Sequence, residues 1–125
     1  MSPEIEKLAK VAVDCGFHIH KGLGPGLLES AYEALLCDAL MKRGLHVERQ
    51  KIIPIRLGEV VLEEGFRADI LLENKLLIEL KSVERLSAVH GKQLLTYLRL
   101  MDLRLGLLMN FGAATFKEGL KRIAN

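Results

Sequence analysis

Two runs, Phe66–Leu72 and Leu76–Ser82, flank Glu73-Asn74-Lys75, and both alternate at period two. That is the pattern of two strands joined by a short loop, an antiparallel hairpin. One face of the hairpin shows Ala68, Ile70, Leu72, Leu76, Ile78 and Leu80. All six are apolar, so this face is expected to pack on a core. The other face shows Arg67, Asp69 and Leu71, then Leu77, Glu79 and Lys81. Its leucines lie near the turn and its charges lie away from it. Such a face is half covered and half open, which is how a cleft forms at the end of a sheet.

Register decides what the charged half can do. A three-residue loop pairs Leu72 with Leu76 and sets Asp69 opposite Glu79, with Cβ atoms roughly 5 Å apart. Lys81 follows on the same face, roughly 7 Å along. Two carboxylates this close repel, and one should have a raised pKa unless a cation sits between them. Mg²⁺ takes oxygens from one or two carboxylates together with waters and phosphate. Asp69 and Glu79 are therefore the expected metal-holding pair, with Mn²⁺ as an alternative ion. Lys81 could orient an attacking water and stabilise charge developing on a phosphate. The plainer account is a solvated ion pair, with Asp69 held by Arg67 or Lys81.

The rest of the chain supplies layers around this hairpin. Ser2-Pro3 reads as a helix cap followed by proline in the first turn. Ile5, Leu8, Ala9, Ala12 and Ile19 then predict a helix to about His20. Gly22-Leu23-Gly24-Pro25-Gly26 breaks it. A second helix is expected from about Leu27 to Arg43, with Leu28, Ala31, Leu35 and Ala39 buried and Leu36 and Leu40 beside them. From His46 to Leu62 the period changes and β-branched residues dominate, with a tight turn at Gly58-Glu59. Pro54 cannot donate to a ladder, so its strand should lie at an edge or carry a bulge. Ser87 caps a third helix to about Met101, Leu105–Asn110 reads as a buried strand, and Phe116–Ile123 reads as a short final helix. The expected order is two helices, four strands, a helix, a strand and a helix. It implies one layered α/β domain over residues 1–125, a mixed sheet with helices on both faces.

Charge and cysteine narrow the function classes. Lys and Arg total 18 against 16 Asp and Glu, a net charge of +2. A strong non-specific DNA binder is usually more basic, because affinity there comes from neutralising many phosphates. Nucleic acid contact should thus be local or built by oligomerisation. Cys15 and Cys37 lack any CxxC spacing, which suits a reduced cytoplasmic interior. The first residues are acidic where a secretory leader would be basic, and the apolar runs are too short to span a bilayer.

Two helices carry further candidates. Glu29 lies one turn before Tyr32, and an acid in a first helical turn also complements the helix dipole. On the third helix His90, Gln93 and Tyr97 form a polar stripe beside Leu94, Leu95, Leu98 and Met101. That stripe is either an amphipathic boundary or a set of groups able to hold a metal water or a phosphate. The glycines at 22, 24 and 26 follow a helix and precede no Gly-Lys-Ser/Thr, so they are not a phosphate loop. His18 and His20 point to different sides of a helix, although His20 could reach a site from the loop. Lys42, Arg43, Arg49, Lys51 and Arg56 could line a nucleic acid path or be scattered surface charge.

Taken together, Asp69, Glu79-Leu80-Lys81 and Glu29 resemble the PD-(D/E)XK nuclease superfamily. Gln93-Leu94-Leu95-Thr96-Tyr97 looks like the QxxxY element of its RecB-like branch. Gly26-Leu27-Leu28-Glu29-Ser30-Ala31-Tyr32 is similar to the naming motif of the GxxExxY family within it. Leu107-Leu108-Met109-Asn110-Phe111-Gly112 looks like a downstream block of that family. One departure is visible, since Ala68 stands where the superfamily name has Pro. The resemblance implies a restriction-endonuclease-like fold and a Mg²⁺-dependent nuclease acting on DNA or RNA. It assigns Glu29, Asp69, Glu79 and Lys81 to catalysis, and Tyr32, Gln93 and Tyr97 to substrate or to support of the site. A domain this small would gain contacts as a homodimer. The alternative is a catalytically silent nucleic-acid- or protein-binding module with the same fold.

Overall fold

A computed structural model describes all residues, 1–125. The elements run α1 (Pro3–Leu23), α2 (Glu29–Lys42), β1 (Val47–Leu57), β2 (Val60–Leu72), β3 (Leu76–Lys81), α3 (Ala88–Met101), β4 (Leu105–Asn110), α4 (Phe116–Gly119) and β5 (Leu120–Ala124). The strands lie in sequence order in one five-stranded sheet. β3 and β4 are parallel and every other pair is antiparallel. α3 is the crossover that the parallel pair requires. This is a mixed α/β fold of the restriction-endonuclease-like kind, with helices on both faces.

The larger core lies between the sheet and α1 and α2. Leu8, Ala12, Tyr32, Leu36 and Leu40 meet Ile70, Leu72, Ile78, Leu80 and Phe111 there. A smaller core on the opposite face joins Leu94 and Leu98 of α3 to Ile53, Ala68, Leu77 and Leu108. α1 starts as its sequence demands: the Ser2 hydroxyl accepts the Ile5 N–H at 3.2 Å, with Pro3 in the first turn. It runs one turn longer than expected and stops where Gly24 adopts φ 71°. β4 is buried at all six positions, as expected of a strand covered on both faces.

Four expectations need correction. The α2 stripe is offset by one residue. Tyr32, Glu33, Leu36, Cys37 and Leu40 are buried, whereas Leu28 and Leu35 are exposed. Helix periodicity fixed the spacing correctly, but an acid inside the stripe masked its phase. Second, the expected strands before and after Glu63-Glu64-Gly65 are one strand, β2. Its register with β1 moves from Ile53↔Phe66 to Ile55↔Leu62, so Pro54 alone faces three residues. The bulge sits at the edge-strand proline. A side chain on Gly65 would lie 2.3 Å from that of Ile55, which is why glycine fills the bulge.

Third, Phe116–Ile123 is not a helix throughout. One turn ends at Gly119, and the chain then pairs with β4 as β5. Leu120 and Ile123 are three apart, which suits one helix face or opposite strand faces. Here Leu120 packs on the larger core and Ile123 on the smaller. Fourth, Ala68 does not share a face with Ile70. It belongs to the α3-side core, whereas Ile70 belongs to the α1/α2-side core. The alternation is broken at the intervening residue, Asp69.

Candidate active site at a fork between two strands

β2 and β3 are joined regularly only near their turn. Leu72 pairs with Leu76, Leu71 with Leu77 and Ile70 with Ile78, as the three-residue loop requires. Glu73 and Asn74 both take positive φ there, 52° and 55°, and Lys75 donates to the Leu72 carbonyl at 3.0 Å. Beyond Ile70 and Ile78 the ladder opens. The amides freed by that opening are taken by side chains. The Asp69 N–H donates to Glu79 Oε2 at 2.7 Å, and the Leu80 N–H donates to Asp69 Oδ2 at 2.8 Å. Each acid thus satisfies an amide of the opposite strand, close to the facing arrangement that the register implies. An orphaned buried amide would cost about 1–3 kcal/mol, so these contacts also hold the fork in shape.

Burial sets the electrostatics. Glu79 is 7% exposed. Burial pushes its carboxyl up to about 8, the nearby Asp69 charge adds to this, and the Asp69 amide and Lys81 partly offset it. The Asp69 carboxyl is also raised, by burial first and by Glu33 among the charges, against the lowering effect of the Leu80 amide. Lys81 is half-buried at the end of β3, beside Asn110 of β4. Its charge lowers the pKa of Glu29, Asp69 and Glu79, so it acts on all three acids. Glu29 opens α2 at an exposed position. Its carboxyl is raised by desolvation and then by Asp69.

The helix candidates divide. Tyr97 is half-buried and stacks on Phe66 with ring centroids 4.0 Å apart. Its hydroxyl pKa is raised by desolvation and then by the charges of Glu79 and Asp69, which brings the α3 phenol to the acids. Gln93 is exposed one turn earlier. His90 accepts the Ser87 N–H at 3.0 Å and serves the start of α3. Tyr32 is fully buried, stacked on Phe111 at 4.6 Å. Its hydroxyl donates to the Gly24 carbonyl at 2.5 Å and accepts from the Leu27 N–H at 3.2 Å. Tyr32 therefore ties down the loop that leads into Glu29. His20 is buried and its Nε2 lies 2.9 Å from the Ala113 carbonyl, a packing role. Four of the five basic residues considered above are paired: Lys42 with Asp38, Arg43 with Asp14, Arg49 with Glu33 and Lys51 with Glu48.

Two residues that the sequence reading did not single out join this cluster. Glu33 is a buried acid of α2, and Gln50 of β1 donates to it at 2.7 Å and to Asp69 Oδ1 at 3.2 Å. Glu33 had a signal: it follows Glu29 by one turn and occupies a core position of the stripe. A surface cavity of ≈ 600 Å³ lies elsewhere. Arg85, Asn110, Gly112 and Lys121 are among its walls, and none of Asp69, Glu79 or Lys81 is.

The donor chemistry fits a hard divalent cation. Asp69 and Glu79 offer carboxylate oxygens, and the burial that raises the Glu79 carboxyl, with the Asp69 charge adding to it, is offset by a nearby positive charge. No group of three or more His, Cys, Asp or Glu side chains is gathered as a metal cage.

A mixed sheet that forks beside an Asp and a Glu-x-Lys, with helices on both faces, defines a class of hydrolytic fold. A family model for the PD-(D/E)XK nuclease superfamily matches residues 6–123, and the chain belongs to that superfamily. No curated protein and no solved structure matches it. Nucleases of this superfamily usually use divalent metals, and membership implies a nucleic acid substrate. No helix is long and apolar enough to cross a membrane.

Proposed function

We propose that this chain is a metal-dependent nuclease of the GxxExxY branch, a single domain over residues 1–125 that hydrolyses phosphodiester bonds in DNA or RNA. The observation that carries this reading is the Asp69–Glu79 pair at the strand fork, with Lys81 two residues along β3. Asp69 and Glu79 would hold Mg²⁺, with Mn²⁺ as a substitute. The cation, when bound, supplies charge that polarises the phosphate and favours ionisation of water. Lys81 orients the attacking water and stabilises negative charge as it develops on the phosphate oxygens. The water oxygen forms the new bond to phosphorus while the bond to the leaving oxygen breaks. Glu29 is a further acid at the rim, able to take a proton. Tyr97 and Gln93 on α3 contact substrate or steady the acids, and Tyr32 fixes the loop before Glu29. Free, buried Cys15 and Cys37 suit a cytoplasmic setting, and a homodimer would enlarge the substrate surface.

The test is cleavage of single- and double-stranded DNA and RNA with Mg²⁺ or Mn²⁺. Cleavage should be lost in Glu79→Ala and Lys81→Ala while both variants stay folded. Cleavage that survives both substitutions would assign the activity to another site. One observation favours a second reading, a silent nucleic-acid- or protein-binding module: both acids already serve backbone amides. Nucleic acid binding without metal uptake, unaffected by Asp69→Ala, would select it.

A further inference from the structure

Gln50 stands in the interior of β1 with φ 54°. A left-handed residue inside a strand is strained and persists only where its surroundings hold it. The β1–β2 ladder runs Arg49↔Ile70 and Lys51↔Ala68, and the pair between them, Gln50 and Asp69, is missing. The side chain shows what the distortion achieves. Gln50 Nε2 donates to Glu33 Oε1 at 2.7 Å and to Asp69 Oδ1 at 3.2 Å. Both acceptors are carboxylate oxygens, so the amide must present its NH₂ group and not its carbonyl. Glu33 is 5% exposed and is also approached by Arg49 Nε at 3.5 Å. With the Leu80 amide on Oδ2, both oxygens of Asp69 are held from fixed directions. An amide does this without charge. A Lys or Arg in its place would neutralise Asp69 and compete with any cation.

We propose that Gln50 is a positioning residue whose side-chain amide bridges Glu33 of α2 to Asp69 of β2, aiming Asp69 at a divalent cation. The cation half of this inference rests on the reading of Asp69 given above; the bridge itself does not. Two variants separate the amide from the backbone. Gln50→Gly deletes the amide and is at ease at positive φ. Gln50→Met keeps the length of the side chain without a donor. Mn²⁺ binding to the whole chain is measured by calorimetry, with melting curves to verify folding. Both variants should lose about 10- to 100-fold in Mn²⁺ affinity, the usual effect of removing a group that orients a metal ligand. Wild-type affinity in either folded variant overturns the proposal. If the unmodified chain takes up no Mn²⁺, the cation reading of Asp69 has failed, and nuclear magnetic resonance decides the bridge. The Gln50 side-chain NH₂ signals should then move in both Glu33→Gln and Asp69→Asn. Signals that stay in place in either variant overturn the bridge.

Discussion

The two ends of the β2–β3 pair are made from the same two strands and satisfy their backbones differently. At the turn end, backbone pairs with backbone, and Leu71, Leu72, Leu76 and Leu77 are all buried. At the fork end, the carboxylates of Asp69 and Glu79 replace the ladder. The first end uses apolar burial, which is non-directional and tolerant of detail. The second uses three hydrogen bonds to the carboxylates of Asp69 and Glu79, each of which fixes a direction. The pair thereby combines an apolar, fully laddered end with an end held by side-chain carboxylates.

Substitutions at the two ends should separate activity from stability. The largest effect belongs to the fork. Lys81→Met should lower the cleavage rate by about 10²–10³-fold, the scale of losing one group that stabilises developing charge. Its melting temperature should stay close to that of the unmodified chain. Next, at the turn end, Leu76→Ala should cost about 2–5 kcal/mol in urea unfolding, because Leu76 is fully buried. Cleavage per folded molecule should be unchanged. If Leu76→Ala lowers that specific rate as far as Lys81→Met does, the division between the two ends is wrong.

The third effect is a pH dependence centred on the fork. Glu79 titrates near 8 when folded and near the ordinary value of about 4.3 when unfolded. Below the lower value both states carry the proton and the stabilising contribution is complete. Between the two, only the unfolded chain releases its proton, so stability falls as pH rises. Above about 8 the loss levels off. Asp69, also raised, acts in the same direction. Metal-free protein should thus melt at progressively lower temperature from about pH 4.5 to pH 8, and Glu79→Gln should flatten that slope. A slope of equal size in Glu79→Gln would place its origin elsewhere. The smallest effect is expected at Tyr97→Phe, which keeps the stack on Phe66. Its stability should lie within about 0.5 kcal/mol of the unmodified chain, which thermal melting can check.

The turn end was readable from sequence because period-two alternation and an odd loop leave only one register. The nearness of Asp69 to Glu79 across the strand pair followed from the same register. Burial in β4 followed from an unbroken apolar run. What escaped reading was whatever depends on a break in periodicity. Ala68 and Ile70 have the same parity in sequence but pack on opposite faces, since the strand changes phase at Asp69. β5 was hidden because Leu120 and Ile123 fit two geometries equally well. Gln50 was invisible because no propensity marks a strand glutamine as left-handed. Only the positions of Glu33 and Asp69 in space explain it.

The reciprocal contacts at the fork also bear on how such a domain can change over evolutionary time. Asp69 holds the Leu80 amide whether or not it does anything else. A descendant released from selection for chemistry would still be selected to fold. It could therefore shed Lys81, which no ion pair in the fold requires, well before it shed Asp69. In a lineage of this fold, decay of function should be written first in the lysine and last in the aspartate.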